Sequence, residues 1–142
     1  MGARVQAFLV TEAVLQPEPL RQLVSDPGHG AIVLFEGVAR NNFGGRATAY
    51  LEYEAYPEMA EQQLVLLARQ AQVQFGIGKV AIHHRVGVLQ IGETAVLIAI
   101  GSAHRGAAFA AVAWLMDQIK VVVPIWKCEH WTDGSQEWVG QR

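Results

Sequence analysis

The chain is short of cysteine, lysine and long apolar runs, and each shortage excludes something. Cys128 is the only cysteine, so neither an internal disulfide nor a multi-cysteine zinc or iron–sulfur site can form within the chain, a usage that fits a reducing compartment. The apolar runs, Ala95 to Ile100 among them, fall far short of the roughly 20 residues a membrane helix needs. Eleven basic residues stand against 13 acidic ones, a formal charge of −2, so no overall field recruits nucleic acid or an anionic membrane, and any anion site must be local. Metal-ligand spacing is missing too. His83 and His84 are neighbours in a predicted strand and point to opposite faces, and no H-x-x-x-H pattern occurs elsewhere. The N-terminus "MGARVQAFLVTEAVL" lacks the apolar core and cleavage site of a signal peptide, and Gln6 stands where a myristoylation motif requires Ser or Thr. The expectation is a soluble cytoplasmic protein, one domain over residues 1–142, with no metal and no cofactor. At 51% hydrophobic and 17% charged, such a chain can bury a real core.

The periodicities describe an α+β protein with a mixed or antiparallel sheet and flanking helices. Val5 to Val10 reads as a strand, Glu18 to Val24 as a short helix, and "SDPGHG" as a turn. Ala31 to Phe35 reads as a buried strand running into "EGVARNNFGGR", whose glycines and asparagines suit a mobile loop over a site more than a tight hairpin. Ala47 to Ala55 alternates, with Leu51, Tyr53 and Ala55 on one face and Glu52 and Glu54 on the other. Pro57 opens a helix that runs to about Phe75 and ends at "GIG". Lys79 to Val86 and Thr94 to Ile100 read as strands joined through "QIGE". A helix from about His104 to Ile119 follows, with Phe109, Val112, Ala113 and Met116 at helical spacing. Pro124 stops it; Ile125 to Trp131 and Glu137 to Val139 are the last strands.

Only three lysines occur in the chain, and two of them, Lys120 and Lys127, fall in the apolar stretch "IKVVVPIWKCE". Lys120, at the helix end, can simply favour the C-terminal dipole while its stem covers apolar surface. Lys127 shares a strand face with Glu129, and an exposed Lys–Glu pair is common and weakly stabilising. A lysine buried beside other cations is instead a proton donor and acceptor near neutral pH, or an amine nucleophile. The residues alone leave these open. "GSAHRGAAF" puts His104 and Arg105 at a helix start behind a strand end, where free N–H groups and the dipole favour a phosphate or carboxylate. The plain alternative is Ser102 as N-cap with both basic side chains solvated. Arg40 lies in the Gly/Asn-rich segment, as a ligand or as a solvated loop residue. Cys128 has no base placed beside it by the sequence and reads as a small core residue.

Five segments in order, "GAIVLFEGVARN", "LEYEAYPEMAE", "VAIHHRVGVLQIGE", "GSAHRGAAF" and "MDQIKVVVPIWKCE", resemble the catalytic, large subunits of molybdopterin synthase, from about Gly30 to Glu129 with a weaker continuation through "EWVGQR". The resemblance implies an α/β hammerhead fold and a sulfurtransferase. Such an enzyme converts precursor Z, cyclic pyranopterin monophosphate, into molybdopterin. The sulfur comes from the thiocarboxylated Gly-Gly terminus of a small ubiquitin-like carrier subunit, and a central homodimer carries one small subunit at each end. It also implies that Lys120 and Lys127 are the catalytic lysines, that Arg40, His104 and Arg105 bind substrate, and that Glu129, with its neighbour Cys128, belongs to the substrate pocket. Arg142 aligns with a basic residue that reaches across the dimer. The family often has a lysine where this chain has Val38. Two other classes compete: a module that binds a phosphorylated ligand without chemistry, and a structural dimer domain. Two lysines favour the enzyme, because arginines and helix N–H groups suffice for holding a phosphate.

Overall fold

The run from Thr94 to Ile100 lacks the polar alternation of a half-exposed strand, and its surroundings explain why. In the computed structural model, which describes residues 5–139, this segment is central in a sheet covered on both faces. The elements in chain order are β1 (Phe8–Thr11), α1 (Pro17–Leu23), β2 (Ala31–Val38), β3 (Asn42–Phe43), β4 (Arg46–Ala55), α2 (Pro57–Phe75), β5 (Val80–Arg85), β6 (Gly87–Gln90), β7 (Thr94–Ser102), α3 (Arg105–Val122), β8 (Ile125–Trp131) and β9 (Gln136–Val139). One sheet runs β1-β5-β7-β2, with β1 and β5 parallel and the other pairs antiparallel. Ile82, Ile98 and Ile100 face α2 and α3, packing with Leu64, Leu67 and Leu115. The alternate residues Ala81, Leu97 and Ala99 pack with Leu20 and Val24, from α1 and the residue after it. Two-sided burial requires a continuous apolar strand.

The second sheet is built on β4, which pairs with β8 along one edge and β6 along the other, with β9 beyond β8. Leu51, Leu89, Ala39 and Ala95 form a small core of their own at the seam between the sheets. The α+β class expected from the sequence holds, with its strands divided between two sheets. No helix among the described residues is long and apolar enough to cross a membrane.

Four expectations need correction. "NNFGGR" is a tight hairpin, with β3 folding back on the start of β4 through Gly44 and Gly45 at φ 60° and 83°. Two successive residues at positive φ make the turn whose twist suits a two-residue hairpin, and glycine enters that region without a Cβ penalty. Strand β2 continues to Val38, and its residues alternate between half-buried and exposed because one face, with Val33 and Phe35, packs on the core while the other, with Ile32, Leu34 and Val38, is open. The link between β5 and β7 contains β6, which crosses to the second sheet. On α3 the buried residues are Ala108, Ala111, Leu115 and Ile119, whereas Phe109 and Ala113 are exposed. A helix with apolar residues nearly all round does not specify its inward face, and here the alanines permit the close approach.

The turn after α1 is clamped to the far end of β7. Asp26 accepts from the Gly28 amide at 2.9 Å and pairs with Lys79 at 3.2 Å. The His29 Nδ1 lies 2.9 Å from the Val24 carbonyl oxygen as a donor to it, and the imidazole lies against Gly78 and Gly101, where a Cβ on either would collide with the ring. Gly78→Ala is therefore expected to cost about 1–3 kcal/mol, the usual range for overpacking. In a His29→Ala background the cost should shrink. A double-mutant cycle on urea midpoints measures this, and strictly additive costs would show that the ring is not what forbids the methyl group.

Candidate active site

Helix α3 cannot pass Pro124, so the chain turns at once into β8. The turn has a chemical consequence. Lys120, in the last helical turn, and Lys127, in the strand, line one cleft of about 230 Å³ at the seam of the two sheets. Met116 and Ile119 come from the helix, Tyr53 from β4, His84 from β5 and Phe43 from the hairpin. The hairpin thus brings an aromatic wall to the site.

Lys127 is held from several sides. Its Nζ lies 3.2 Å from Glu129 Oε2 and 4.5 Å from the centroid of the Phe43 ring, and Tyr53 stands directly opposite across the β4–β8 pair. The Glu129 carboxylate is nearly sealed from solvent, its side chain 3% exposed, and its second oxygen accepts from Thr48 Oγ1 at 2.7 Å. The two residues share a face, as strand alternation predicts, but this is no exposed surface pair. The sealed Glu129 charge depends on its partners: removal of Lys127 leaves it uncompensated, at a cost of up to about 3–5 kcal/mol, whereas Lys127, its side chain 25% exposed, keeps some access to water. Burial, with the Glu129 charge adding to it, pushes the Tyr53 hydroxyl up to about 12, so it stays protonated at neutral pH.

His84 is 6% exposed. Its Nδ1 lies 2.8 Å from the Arg85 carbonyl oxygen, and its ring meets Tyr53 edge to face at a centroid distance of 5.1 Å. Burial lowers its pKa to about 4, against the opposing effect of the Arg85 contact. The imidazole is therefore neutral at pH 7. A carbonyl can only accept, so Nδ1 carries the proton and Nε2 has the free lone pair.

The remaining expected residues lie elsewhere. His104 is the N-cap of α3, with extended backbone and no side-chain capping bond, and both His104 and Arg105 are exposed. Ser102 does not cap this helix; it is a buried residue of β7. Fifteen residues of helix separate Arg105 from Lys120, about 22 Å at 1.5 Å per residue, so one chain does not bring the two basic groups together. Arg40 is exposed at the base of the hairpin, its Nε donating to the Asn42 carbonyl at 3.1 Å. Val38 is half exposed beside the bulge that ends β2. Cys128 is fully buried on the face of β8 opposite Lys127, where burial pushes its thiol up despite an opposing backbone hydrogen bond from Glu137. Arg142 lies outside the described residues. Among the described residues no group of three or more His, Cys, Asp or Glu could hold a metal ion. Sequence reading missed Phe43 and His84 as cleft residues. "GG" after Phe43 was the available hairpin signal; nothing local marks His84.

These features define a class: a two-sheet α+β protein with an apolar-walled cleft at its seam, carrying two ammonium groups, a neutral imidazole and a protonated phenol. The chain belongs to the family described as MoaE protein, which matches residues 10–122. It is 42% identical over 134 residues to the molybdopterin synthase catalytic subunit of a Nostoc species, spanning 94% of this chain and 81% of that one. To the protein of the same description from Staphylococcus carnosus it is 45% identical over 137 residues, 96% and 90% of the two chains. The crystal structure of molybdopterin synthase from Staphylococcus aureus superposes with a TM-score of 0.90 at 38% identity, over 96% of this chain and 99% of that one.

Because His84 is held neutral by burial, acid should destabilise the fold through it. Its folded value of about 4 lies below the ordinary 6.5, so between these values the unfolded chain binds a proton that the folded one does not. That contribution is fully present above about pH 6.5 and is lost as pH falls towards 4. Between pH 7 and 4.5, wild type is expected to lose about 2 kcal/mol more than His84→Phe. Urea unfolding of both at the two pH values is the measurement, and equal losses would show that the imidazole charges freely.

Proposed function

We propose that this chain is the catalytic subunit of a cytoplasmic molybdopterin synthase. It would transfer sulfur from the thiocarboxylated C-terminus of a small ubiquitin-like carrier to precursor Z, building the dithiolene of molybdopterin. The observation that carries the reading is the convergence of Lys120 and Lys127 on one narrow, apolar-walled cleft. A thiocarboxylate tail is anionic and extended, and the cleft offers two cations at its polar end. The carrier's sulfur attacks the pterin side chain, oxygen leaves in stages, and water releases the carrier's carboxyl group. Each departing oxygen develops negative charge, and preplaced cations in a low-dielectric site stabilise that charge most strongly. Lys120, without a carboxylate partner among the described residues, is assigned to stabilising and protonating the departing oxygen. Lys127, tethered to Glu129, tunes the pocket and shuttles protons.

His104, Arg105 and Arg40 are assigned to the substrate's cyclic phosphate. Helix α3 holds the first two about 22 Å from Lys120 within one chain, so in the homodimer implied by the family they serve the cleft of the second copy. Two copies, with one carrier on each, form the heterotetramer proposed for the working enzyme.

Reconstitution with thiocarboxylated carrier and precursor Z, with molybdopterin detected by fluorescence after oxidation, tests the assignment. Lys120→Ala is expected to lose about 100-fold or more in rate. Lys127→Ala strands the Glu129 carboxylate, so it is run beside the double variant with Glu129→Gln, which removes the buried charge and separates folding from chemistry. Product from wild type that survives all three variants would discard the lysine assignment. A wild type that binds both reactants yet makes no product would point to a binding module. Mixing Lys120→Ala chains with Arg105→Ala chains should restore activity through one intact composite site per dimer, and no recovery despite chain exchange would place His104 and Arg105 outside the reaction.

A further inference from the structure

The cleft has an imbalance of hydrogen-bonding groups. Of the described side chains lining it, only Tyr53, His84, Lys120 and Lys127 carry nitrogen or oxygen. The two ammonium groups can only donate, and the Tyr53 hydroxyl, which stays protonated, accepts only through a phenolic oxygen, a weaker acceptor than a neutral imidazole nitrogen. Any reactant seated there brings donors of its own: a peptide tail has amide N–H groups, and a pterin has ring N–H and side-chain O–H groups. A donor buried without an acceptor costs about 1–3 kcal/mol, so a strong acceptor in the pocket favours binding.

We propose that His84 supplies it, Nε2 accepting a hydrogen bond from an N–H or O–H of the reactant that enters between Lys120 and Lys127. The inference rests on the sulfur-transfer reading above. Two observations on the same residue support it. Nδ1 is committed to the Arg85 carbonyl, which leaves the acceptor at Nε2. His84 is 6% exposed, yet among the described residues Nε2 has no hydrogen-bond partner and is not an atom sealed from solvent without one, Trp131 Nε1 being the sole described atom of that kind. His84 lines the cleft, and the proposal places this open lone pair towards it. A histidine there only to fill the core would have no need of an accessible, unpaired atom. The low pKa of the buried ring keeps the acceptor free of protons at working pH.

Three substitutions separate the atoms. His84→Asn keeps a donor near Nδ1 and removes the acceptor; His84→Phe keeps the ring against Tyr53 and removes both; His84→Gln returns an amide oxygen near the position of Nε2. Each is assayed by turnover with the carrier and the pterin varied in turn, beside its melting temperature. Asn and Phe are expected to raise KM for one reactant about five- to tenfold, the value of one net hydrogen bond, with Gln within about twofold of wild type. A rise for the pterin alone assigns the donor to the pterin; a rise for the carrier alone assigns it to a tail amide. In the wild type itself, ¹⁵N-histidine spectra should show the His84 Nε2 resonance moving when that reactant binds, a readout that does not depend on how the variants fold. KM for both reactants within twofold of wild type in Asn and Phe, or a Nε2 resonance that ignores both reactants, overturns the inference while wild-type turnover leaves the enzyme reading standing. A wild type without turnover overturns the functional reading, and this inference with it.

Discussion

Two-sided burial of β7 is the constraint on which the rest of the molecule depends. With α1 on one face and α2 with α3 on the other, the strand has no solvent side, and both of its ends become fixed points. One end leads through Ser102 into the start of α3, and the helix returns along the sheet to deliver its last turn at the seam where the second sheet begins. The position of Lys120 is thus set by a strand that ends eighteen residues earlier. Cores packed at crystal density transmit placement in this way because they do not deform continuously.

The second sheet adds what the first cannot, a polar pair held inside apolar walls. Glu129 is nearly sealed, and its two oxygens are satisfied by Lys127 and Thr48, from two strands. Stability alone would be served as well by apolar residues of the same volume, so the retained pair points to chemistry. It also explains the local architecture. The β4–β8 register sets Tyr53 opposite Lys127, the hairpin turn through Gly44 and Gly45 brings Phe43 under the ammonium, and Tyr53 carries the contact on to His84 in the other sheet. The negative face of the Phe43 ring attracts the Lys127 ammonium and so helps to fix its position.

Legibility in the sequence followed the range of the physics. Helix α2 was readable to its last residue because every signal is local: Pro57 at the first turn, an apolar stripe of Leu64, Leu67, Ala68 and Ala71, and Gly76 in the left-handed region as its cap. Strand β8 was equally plain, with its alternation of Lys127 and Glu129 against Cys128. The inward face of α3 was not readable, since an alanine-rich helix offers several apolar faces and the sheet chooses among them. Strand β6 was hidden for a related reason: Gly87–Gln90 is too short to identify itself, and it is a strand only because Tyr50 to Tyr53 lie beside it.

The same division applies to the site. Local chemistry by itself determined the elements, the unusual pair of lysines in an apolar segment, and the face that Lys127 shares with Glu129, because dihedral preferences, side-chain period and proline act over a few residues. Tertiary structure alone decided that Glu129 is sealed and Lys127 largely covered, that Cys128 is fully buried, and that His84 and Phe43 join the lysines. Each of these depends on pairing between segments far apart in the chain, and burial is a property of what packs on a residue, which no local pattern encodes.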